Sequence, residues 1–141
     1  MKYHETCAAL IKQINDSLER QANNLLRKED LTIMQAAVLI ELDQADENTL
    51  SLKDLEHRFR VAQPTMLGIV RRLTQKNLAE TLESPEDKRA KLVRLTGQGL
   101  LKCSAGYTHM ESAEDSLLDV LSEDERREFK RALLKITKTL Q

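Results

Sequence analysis

Apolar side chains recur at helical spacing along most of the chain, and changes in that spacing divide it into seven elements. Residues 3–28 carry apolar or small side chains every three or four positions, which predicts a long first helix. Thr32 begins a second helix, because a hydroxyl residue followed three positions later by Gln35 forms a capping box. That helix should end near Asp43, and the segment QADENT after it is a predicted polar loop. The predicted buried positions are Tyr3, Cys7, Leu10, Ile14, Leu18 and Leu25 in the first helix and Ile33, Ala36, Ala37 and Ile40 in the second.

The middle of the chain predicts two helices joined by a tight connection. Ser51 caps a short third helix by the same logic. After residues 60–62, Pro64 lies in the first turn of a fourth helix, where proline is tolerated. The fourth helix should run over about 63–76. The inward positions are Leu52, Leu55 and Phe59 in the third helix and Met66, Ile69, Val70 and Leu73 in the fourth.

Beyond the fourth helix the pattern changes from helical to alternating. Residues 78–83 and 92–95 alternate between two faces on either side of the polar segment SPEDKRAK, which predicts a β-hairpin. Thr96 then caps a long helix, which its three glycines weaken locally, and Ser122 opens the last helix with another capping box. The apolar stripes are Leu100, Cys103, Tyr107, Met110, Leu117 and Leu121 in the long helix and Phe129, Leu133, Ile136 and Leu140 in the last.

This order of elements is that of a winged helix-turn-helix. We therefore predict a fold that is mainly α with a small β-hairpin wing, in which a winged helix-turn-helix core is flanked by N- and C-terminal helices. A chain of 141 residues is most simply one domain. The six glycines and prolines and the 32% charged residues also favour a helix-rich protein over a sandwich or a barrel.

Composition excludes several classes of function. No apolar run approaches the length of a signal peptide or of a membrane span, so we expect a cytoplasmic protein without a membrane partner. The chain has no glycine-rich phosphate loop, nucleophile motif or helical histidine pair, and we expect neither an enzyme nor a cofactor. The three histidines and two cysteines share no metal-ligand spacing, so no metal site is expected.

The distribution of charge is more informative than its sum. The net charge is −1, which alone argues against a nucleic-acid partner. Residues 51–96, however, hold ten lysines and arginines against six acidic residues, a net charge of +4. This central basic block between acidic ends is the electrostatic pattern of a protein that meets a polyanion with one surface.

The outer face of the fourth helix is polar and basic. It carries no carboxylate, although acidic residues are common elsewhere, and it suits the major groove of DNA, which is about 12 Å wide. Hydrogen-bonding and cationic side chains would meet bases or phosphates there, and Leu67 a thymine methyl group. The residues of this face are Gln63, Pro64, Thr65, Leu67, Gly68, Arg71, Arg72 and Gln75.

The hairpin loop supplies a second basic surface. Lys88 and Arg89 lie near its tip and Lys91 on the returning strand, where a guanidinium could enter a narrow minor groove and lysines could contact phosphates. Asp87 precedes Arg89 by two residues, and its carboxylate can pair with the arginine and hold the loop in one shape. A solvated loop with no partner would have the same hairpin pattern.

Three stretches resemble the MarR family of bacterial winged-helix regulators: LTIMQAAVL, then SLKDLEHRFRVAQPTMLGIVRRLTQKNLAE, then SPEDKRAKLVRLTGQG. The resemblance is densest over residues 31–99, and its most specific part is Asp87-Lys88-Arg89 with the residues that follow. By position it implies that Asp87 and Arg89 are the wing pair and that Pro64, Thr65 and Arg72 lie on the recognition helix. Three positions depart from the family pattern, namely Gly68, Asn77 and the helix start at Ala62-Gln63.

The resemblance implies a homodimer whose terminal helices interlock and whose recognition helices and wings bind a palindromic operator in double-stranded DNA. We accordingly expect one MarR-like domain over 1–141, with a DNA-binding lobe at 31–96 and dimerisation helices at 1–28 and 97–141. The expected function is that of a transcriptional repressor with a recognition helix at about 63–76 and a basic wing at about 84–91. Release from DNA on binding of a small-molecule effector is a further implication of the family.

Three alternatives stay open at the level of sequence. The winged helix could be a protein–protein interaction module without specific DNA binding. Cys7 could make the protein a redox-sensing repressor, although a cysteine in a helical stripe is ordinarily one more apolar position. The apolar stripes of the terminal helices could be covered within one chain, as an intramolecular three-helix layer, rather than by a second copy.

Overall fold

The computed structural model of this chain describes residues 1–140, which form six α-helices and one small antiparallel sheet. The fold is mainly helical with a hairpin wing, as predicted from the sequence. The helices are α1 (Cys7–Leu26), α2 (Ile33–Gln44), α3 (Leu52–Phe59), α4 (Gln63–Gln75), α5 (Gly97–Leu118) and α6 (Glu123–Thr137). The strands are β1 (Thr49–Ser51), β2 (Ala79–Glu83) and β3 (Lys91–Leu95).

Side-chain caps determine where five of the helices begin. The Thr32 hydroxyl accepts from the amide of Gln35, and the Gln35 side chain accepts from the amide of Thr32, so the predicted capping box is complete. Ser122 and Glu125 form the second predicted box at the start of α6. Single caps at Thr6, Ser51 and Thr96 begin α1, α3 and α5. Each cap satisfies a backbone amide that the helix itself leaves unpaired.

The sheet has a third strand where the sequence predicted only a loop. β1 pairs with β3, with Leu50 opposite Val93, and β3 pairs with β2, with Ala79 opposite Leu95. The hairpin prediction is confirmed, but the polar segment before α3 continues into β1. A three-residue strand with one buried side chain is too short to show an alternating pattern, so only its pairing with β3 identifies it.

Helix α2 is the centre of the core, and its predicted one-sided stripe was incomplete. Val38, Leu39 and Leu42 are fully buried besides the predicted Ala36, whereas Ile33 and Ile40 are only partly buried. The reason is that α1, α4, α5 and β3 all pack around α2. A helix enclosed in this way buries residues on every side, and the helical period then no longer marks a single inner face.

The terminal helices leave most of their apolar stripes exposed. In α1 the buried residues are Ala9, Ala22 and Leu26, while Leu10 and Ile14 of the predicted stripe are exposed. Helix α6 has no buried residue, and Ile136 is 56% exposed. One chain therefore does not cover these stripes, and the alternative of an intramolecular three-helix layer is wrong.

Gly99 of α5 is a close packing contact rather than a weak point, whereas a Cβ atom on Gly106 would make an ordinary van der Waals contact. A Cβ atom on Gly99 would lie 2.0 Å from the carbonyl oxygen of Leu78, so only glycine allows α5 to approach the start of the hairpin this closely. A Cβ atom on Gly106 would lie 3.4 Å from the Cβ of Ala36 in α2. The close approach at Gly99 joins α5 directly to the wing.

None of the helices described here is both long and apolar enough to span a bilayer.

Candidate nucleic-acid interface

The recognition helix α4 is held by its inner face and leaves its outer face in solvent. Met66, Val70 and Leu73 are buried in the core that α4 shares with the other helices of the lobe. Pro64 lies in the first turn, and the N-cap residue Ala62 makes no side-chain cap bond. The start of α4 consequently keeps free backbone amides, which are able to donate to a phosphate oxygen.

The structure places the predicted recognition residues on this outer face. Two of them are half-buried: Leu67, which packs against the edge of the core, and Gly68. A Cβ atom on Gly68 would meet no atom within 4 Å, so packing within the chain does not require glycine there. The exposed residues are Gln63, Pro64, Thr65, Arg71, Arg72 and Gln75.

The wing loop is closed by hydrogen bonds between its own residues. The amide of Arg89 donates to the Asp87 carboxylate at 2.9 Å, and the amide of Ala90 donates to the Asp87 carbonyl at 3.0 Å. The amide of Ser84 donates to the carbonyl of Ala90 at 3.1 Å. Asp87 thus holds the loop through the backbone amide of Arg89. The ion pair between the Asp87 carboxylate and the Arg89 guanidinium, which the sequence had suggested, is not formed. The guanidinium is left exposed at the tip.

A cleft of about 590 Å³ lies between α3, α4 and the wing. It brings together five of the residues predicted from the sequence, whereas the rest lie outside it on the outer face of α4 and at Lys88 on the wing tip. The cleft also contains Lys53, which the sequence pattern did not single out. Lys53 lies in the first turn of α3, and its approach to the wing depends on how that helix packs. The predicted residues that line the cleft are Gln63, Leu67, Asp87, Arg89 and Lys91.

A smaller groove of about 180 Å³ continues along the same surface. Arg71 and Thr74 of α4 face Thr81 and Lys91 of the hairpin across it. Lys91 and Leu67 line both depressions, so the recognition helix and the wing form one continuous surface.

The cations of this surface are free of carboxylate partners. Across residues 1–140, none of the predicted DNA-contacting lysines and arginines forms an ion pair. Neighbouring arginines differ, because Arg58 is paired with Glu41 at 2.7 Å and Arg94 with Glu80 at 2.7 Å. Although Glu56 and Asp87 also line the larger cleft, neither forms an ion pair with these cations, which are left to attract an external anion. The unpaired cations are Arg71, Arg72, Lys88, Arg89 and Lys91.

The two cysteines lie in different environments. Cys7 is exposed in the first turn of α1 and lines neither depression. Cys103 is buried in α5, and burial, with a smaller contribution from Asp43, raises the pKa of its thiol to about 11. Because the thiolate is the reactive form, the buried Cys103 thiol is unreactive at neutral pH.

Alkylation by iodoacetamide at pH 8 should therefore label Cys7 and leave Cys103 unmodified. The Cys103 thiol is inaccessible and almost entirely protonated at this pH, so it should react only after the protein is denatured. Mass spectrometry of tryptic peptides measures both sites. The Cys7→Ser variant is the control and should take up no label in its native state, whereas rapid labelling of Cys103 there would contradict its burial.

Comparison with known proteins identifies relatives of this fold. A model of the MarR family matches residues 29–90, which include α2, α3, α4 and most of the wing. The HTH-type transcriptional regulator FarR of Neisseria gonorrhoeae is 24% identical over 126 residues, which cover 89% of this chain and 85% of FarR.

Solved structures match over nearly the whole chain. A mutant MarR from E. coli complexed with operator DNA is 27% identical with a TM-score of 0.83, over 92% of this chain and 91% of that one. Bordetella bronchiseptica BpsR, whose DNA binding is regulated by 6-hydroxynicotinic acid, is 25% identical with a TM-score of 0.86, over 97% and 96%. These matches confirm the resemblance to the MarR family that the sequence indicated, and the fold of this chain is the MarR winged-helix fold.

Proposed function

We propose that this chain is a homodimeric transcriptional regulator, a repressor, that binds a pseudo-palindromic operator through α4 and the wing. The observation that carries the proposal is the continuous surface of α4 and the wing, on which the unpaired cations Arg71, Arg89 and Lys91 line two adjoining depressions. The unpaired Arg72 and Lys88 lie outside these depressions, on α4 and at the wing tip. When such cations neutralise DNA phosphates, the counterions condensed on the DNA are released, and this release supplies most of the affinity for DNA. The E. coli relative crystallised with operator DNA supports the same assignment.

The residues of the surface divide by the groove they would enter. The polar side chains of Gln63 and Thr65 at the start of α4 would hydrogen-bond base edges in the major groove. Arg71 and Arg72 would contact either guanine or phosphates. Arg89 at the wing tip would enter the minor groove. Lys88, Lys91 and Lys53 would contact phosphates and fix the register of the protein on the duplex.

The dimer is supported by the exposed stripes of the terminal helices. Leu10 and Ile14 of α1 and Leu133 and Ile136 of α6 are all at least 40% exposed in one chain. Because water contact with such side chains is unfavourable, a second copy related by a two-fold axis is the simplest cover. A symmetric dimer would then present its recognition helices to half-sites one helical turn apart, about 34–36 Å.

Control by a small molecule is the last part of the proposal. In BpsR the regulator of DNA binding is 6-hydroxynicotinic acid, a small aromatic carboxylic acid. We infer by analogy that a small effector releases this chain from its operator. Screening of small molecules for release of the protein from its selected operator would test this inference.

Selection of bound sequences from a random DNA pool tests the function directly. Enrichment of a two-fold symmetric site is expected, and the double variant Arg71→Ala/Arg72→Ala should lose the enrichment while its melting temperature stays close to that of the wild type. If the wild-type protein enriches no site, the winged helix is better explained as a protein-binding module.

Arg89→Ala tests the wing. One fewer cation per subunit, or two per dimer, should reduce the magnitude of the slope of log K against log salt by about 2. Affinity should fall for all sequences alike, because a wing contact of this kind is largely independent of sequence. Fluorescence anisotropy at several salt concentrations measures both quantities.

Arg20→Ala is the matched control for this measurement. Arg20 is exposed on α1, lies outside both depressions and carries the same charge. Its removal should leave the salt slope near the wild-type value. An Arg89→Ala slope equal to that of Arg20→Ala would remove the wing from the interface.

A further inference from the structure

The end of the recognition helix is tied to α5 through the dipeptide Glu29-Asp30. Lys76 caps the C-terminus of α4, and its Nζ donates to the backbone carbonyl of Asp30 and, at 3.0 Å, to the Oε1 of Gln35. The Asp30 carboxylate lies 3.5 Å from the same Nζ. Asp30 has a left-handed backbone, with φ of 55°. The recognition helix is thereby fixed to the segment that joins α1 and α2.

The neighbouring residue Glu29 is bound to α5. Its Oε2 lies 3.3 Å from the Nζ of Lys102, and its Oε1 lies 3.4 Å from the Nε2 of His109. The Lys102 ammonium also donates to the backbone carbonyl of Glu29 at 3.1 Å. Lys102 and, to a smaller degree, His109 hold the pKa of Glu29 below its ordinary value, so the carboxylate is charged when it spans these two turns of α5.

A second connection joins the same two helices. Asn77 has a left-handed backbone directly after Lys76, and its carbonyl accepts from the Thr96 hydroxyl at 2.7 Å. The Leu78 carbonyl accepts from the amide of Thr96 at 3.2 Å. The end of α4 thus has two attachments to α5, one at the helix start through Asn77 and one about two turns along through Lys76 and Glu29. Because the two attachments lie at different places along α5, they fix the angle between α4 and α5 as well as the distance between them.

We propose that Lys76 and Glu29 are positioning residues which hold the recognition helix at a fixed angle to α5 and so set the half-site spacing that the dimer accepts. The proposal rests on the proposed function, because α5 connects each DNA-binding lobe to a two-fold axis only if the chain forms a dimer. Neither residue needs to touch DNA. Their effect would appear in the preference among spacings and not in the preference among bases.

The test compares binding to the selected operator with binding to versions in which the half-sites are moved by one base pair. Wild-type protein should discriminate against the altered spacings. Lys76→Met and Glu29→Ala should each reduce that discrimination by at least about fivefold, the lower end of measured couplings between sites. The base preference within a half-site should not change. Because both residues belong to one chain of contacts, the double variant should lose little more than either single variant.

The two substitutions change the charge in opposite directions, which separates positioning from simple electrostatics. Loss of a cation would weaken binding at every spacing equally, and loss of a carboxylate would strengthen it equally. The charge-matched controls are Lys28→Met and Glu111→Ala, because both residues are exposed and make no hydrogen bond among the described side chains. They should keep the wild-type spacing preference.

Each outcome decides between the hypotheses. Unchanged spacing discrimination in both folded variants overturns the positioning role, as does a wild-type protein that binds all spacings equally. A wild-type protein that binds no DNA overturns the proposed function instead. Thermal unfolding checks that the variants fold, and Lys76→Met, which keeps the aliphatic stem of the lysine, serves if Glu29→Ala is unstable.

Discussion

Replacing Gly99 by alanine should lower the free energy of unfolding by at least about 2 kcal/mol, the middle of the range for forcing extra atoms into a packed site. The new Cβ would lie 2.0 Å from the Leu78 carbonyl oxygen and 2.7 Å from a methyl group of Leu95. Backbone is unable to yield as a flexible side chain does, so α5 must separate from the hairpin. For a chain of this length the melting temperature should fall by roughly 6 °C or more. Differential scanning calorimetry at one fixed protein concentration measures the change.

Gly97→Ala is the control for this substitution. A Cβ at Gly97 would meet no atom within 4 Å, and the residue lies only two positions earlier in the same helix. Its free energy of unfolding should stay within about 0.5 kcal/mol of the wild type. Equal stability of the two variants would show that α5 does not need its close approach to Leu78. A loss of DNA affinity in folded Gly99→Ala protein would in addition connect this contact to the position of the wing.

Ile136→Asp is the second substitution with a large expected effect, and it acts on the proposed dimer. Ile136 is 56% exposed in a single chain, so an aspartate there is tolerated by the monomer. In a two-fold dimer the substitution places two carboxylates in the interface, each costing about 2 kcal/mol when buried without a partner. The dimer should therefore dissociate roughly 1000-fold more readily, since every 1.4 kcal/mol is a factor of ten. Sedimentation equilibrium over a range of concentrations measures the constant.

The neighbouring Lys135→Gln variant makes the same change of −1 in net charge at a position about 100° further round α6, outside its apolar stripe. It should sediment as the wild type does. A wild-type chain that is monomeric at all concentrations, or an Ile136→Asp dimer as tight as the wild type, would disprove the proposed use of α6. Operator affinity should fall together with dimerisation, because one lobe alone contacts only half of the site.

The local structure of this chain could be predicted from sequence because its signals lie within a few residues of one another. The capping boxes at Thr32 and Ser122 each need only four consecutive residues, and both are formed. Asn77 adopts the left-handed backbone expected of a residue that takes the place of a helix-ending glycine. The change from helical to alternating spacing after α4 likewise marked the hairpin, whose strands pair in the register that the alternation requires.

Features that depend on distant residues could not be predicted in this way. β1 exists only because Leu50 finds Val93 more than forty residues away. The glycines of α5 looked like weak points of a helix, since nothing near Gly99 in sequence shows that the Leu78 carbonyl will lie against it. Lys53 was overlooked for the same reason, because its approach to the wing depends on how α3 packs.

The sequence by itself determined the order of the elements, the ends of the helices, the hairpin and the identity of the basic residues on α4 and the wing, because these follow from short-range periodicity and capping. Only the tertiary structure decided which cations remain unpaired, how Asp87 holds the loop, and that the stripes of α1 and α6 are left uncovered. It also decided that Glu29 and Lys76 connect the recognition helix to α5. Those properties depend on the distances between side chains far apart in sequence, and packing alone sets such distances.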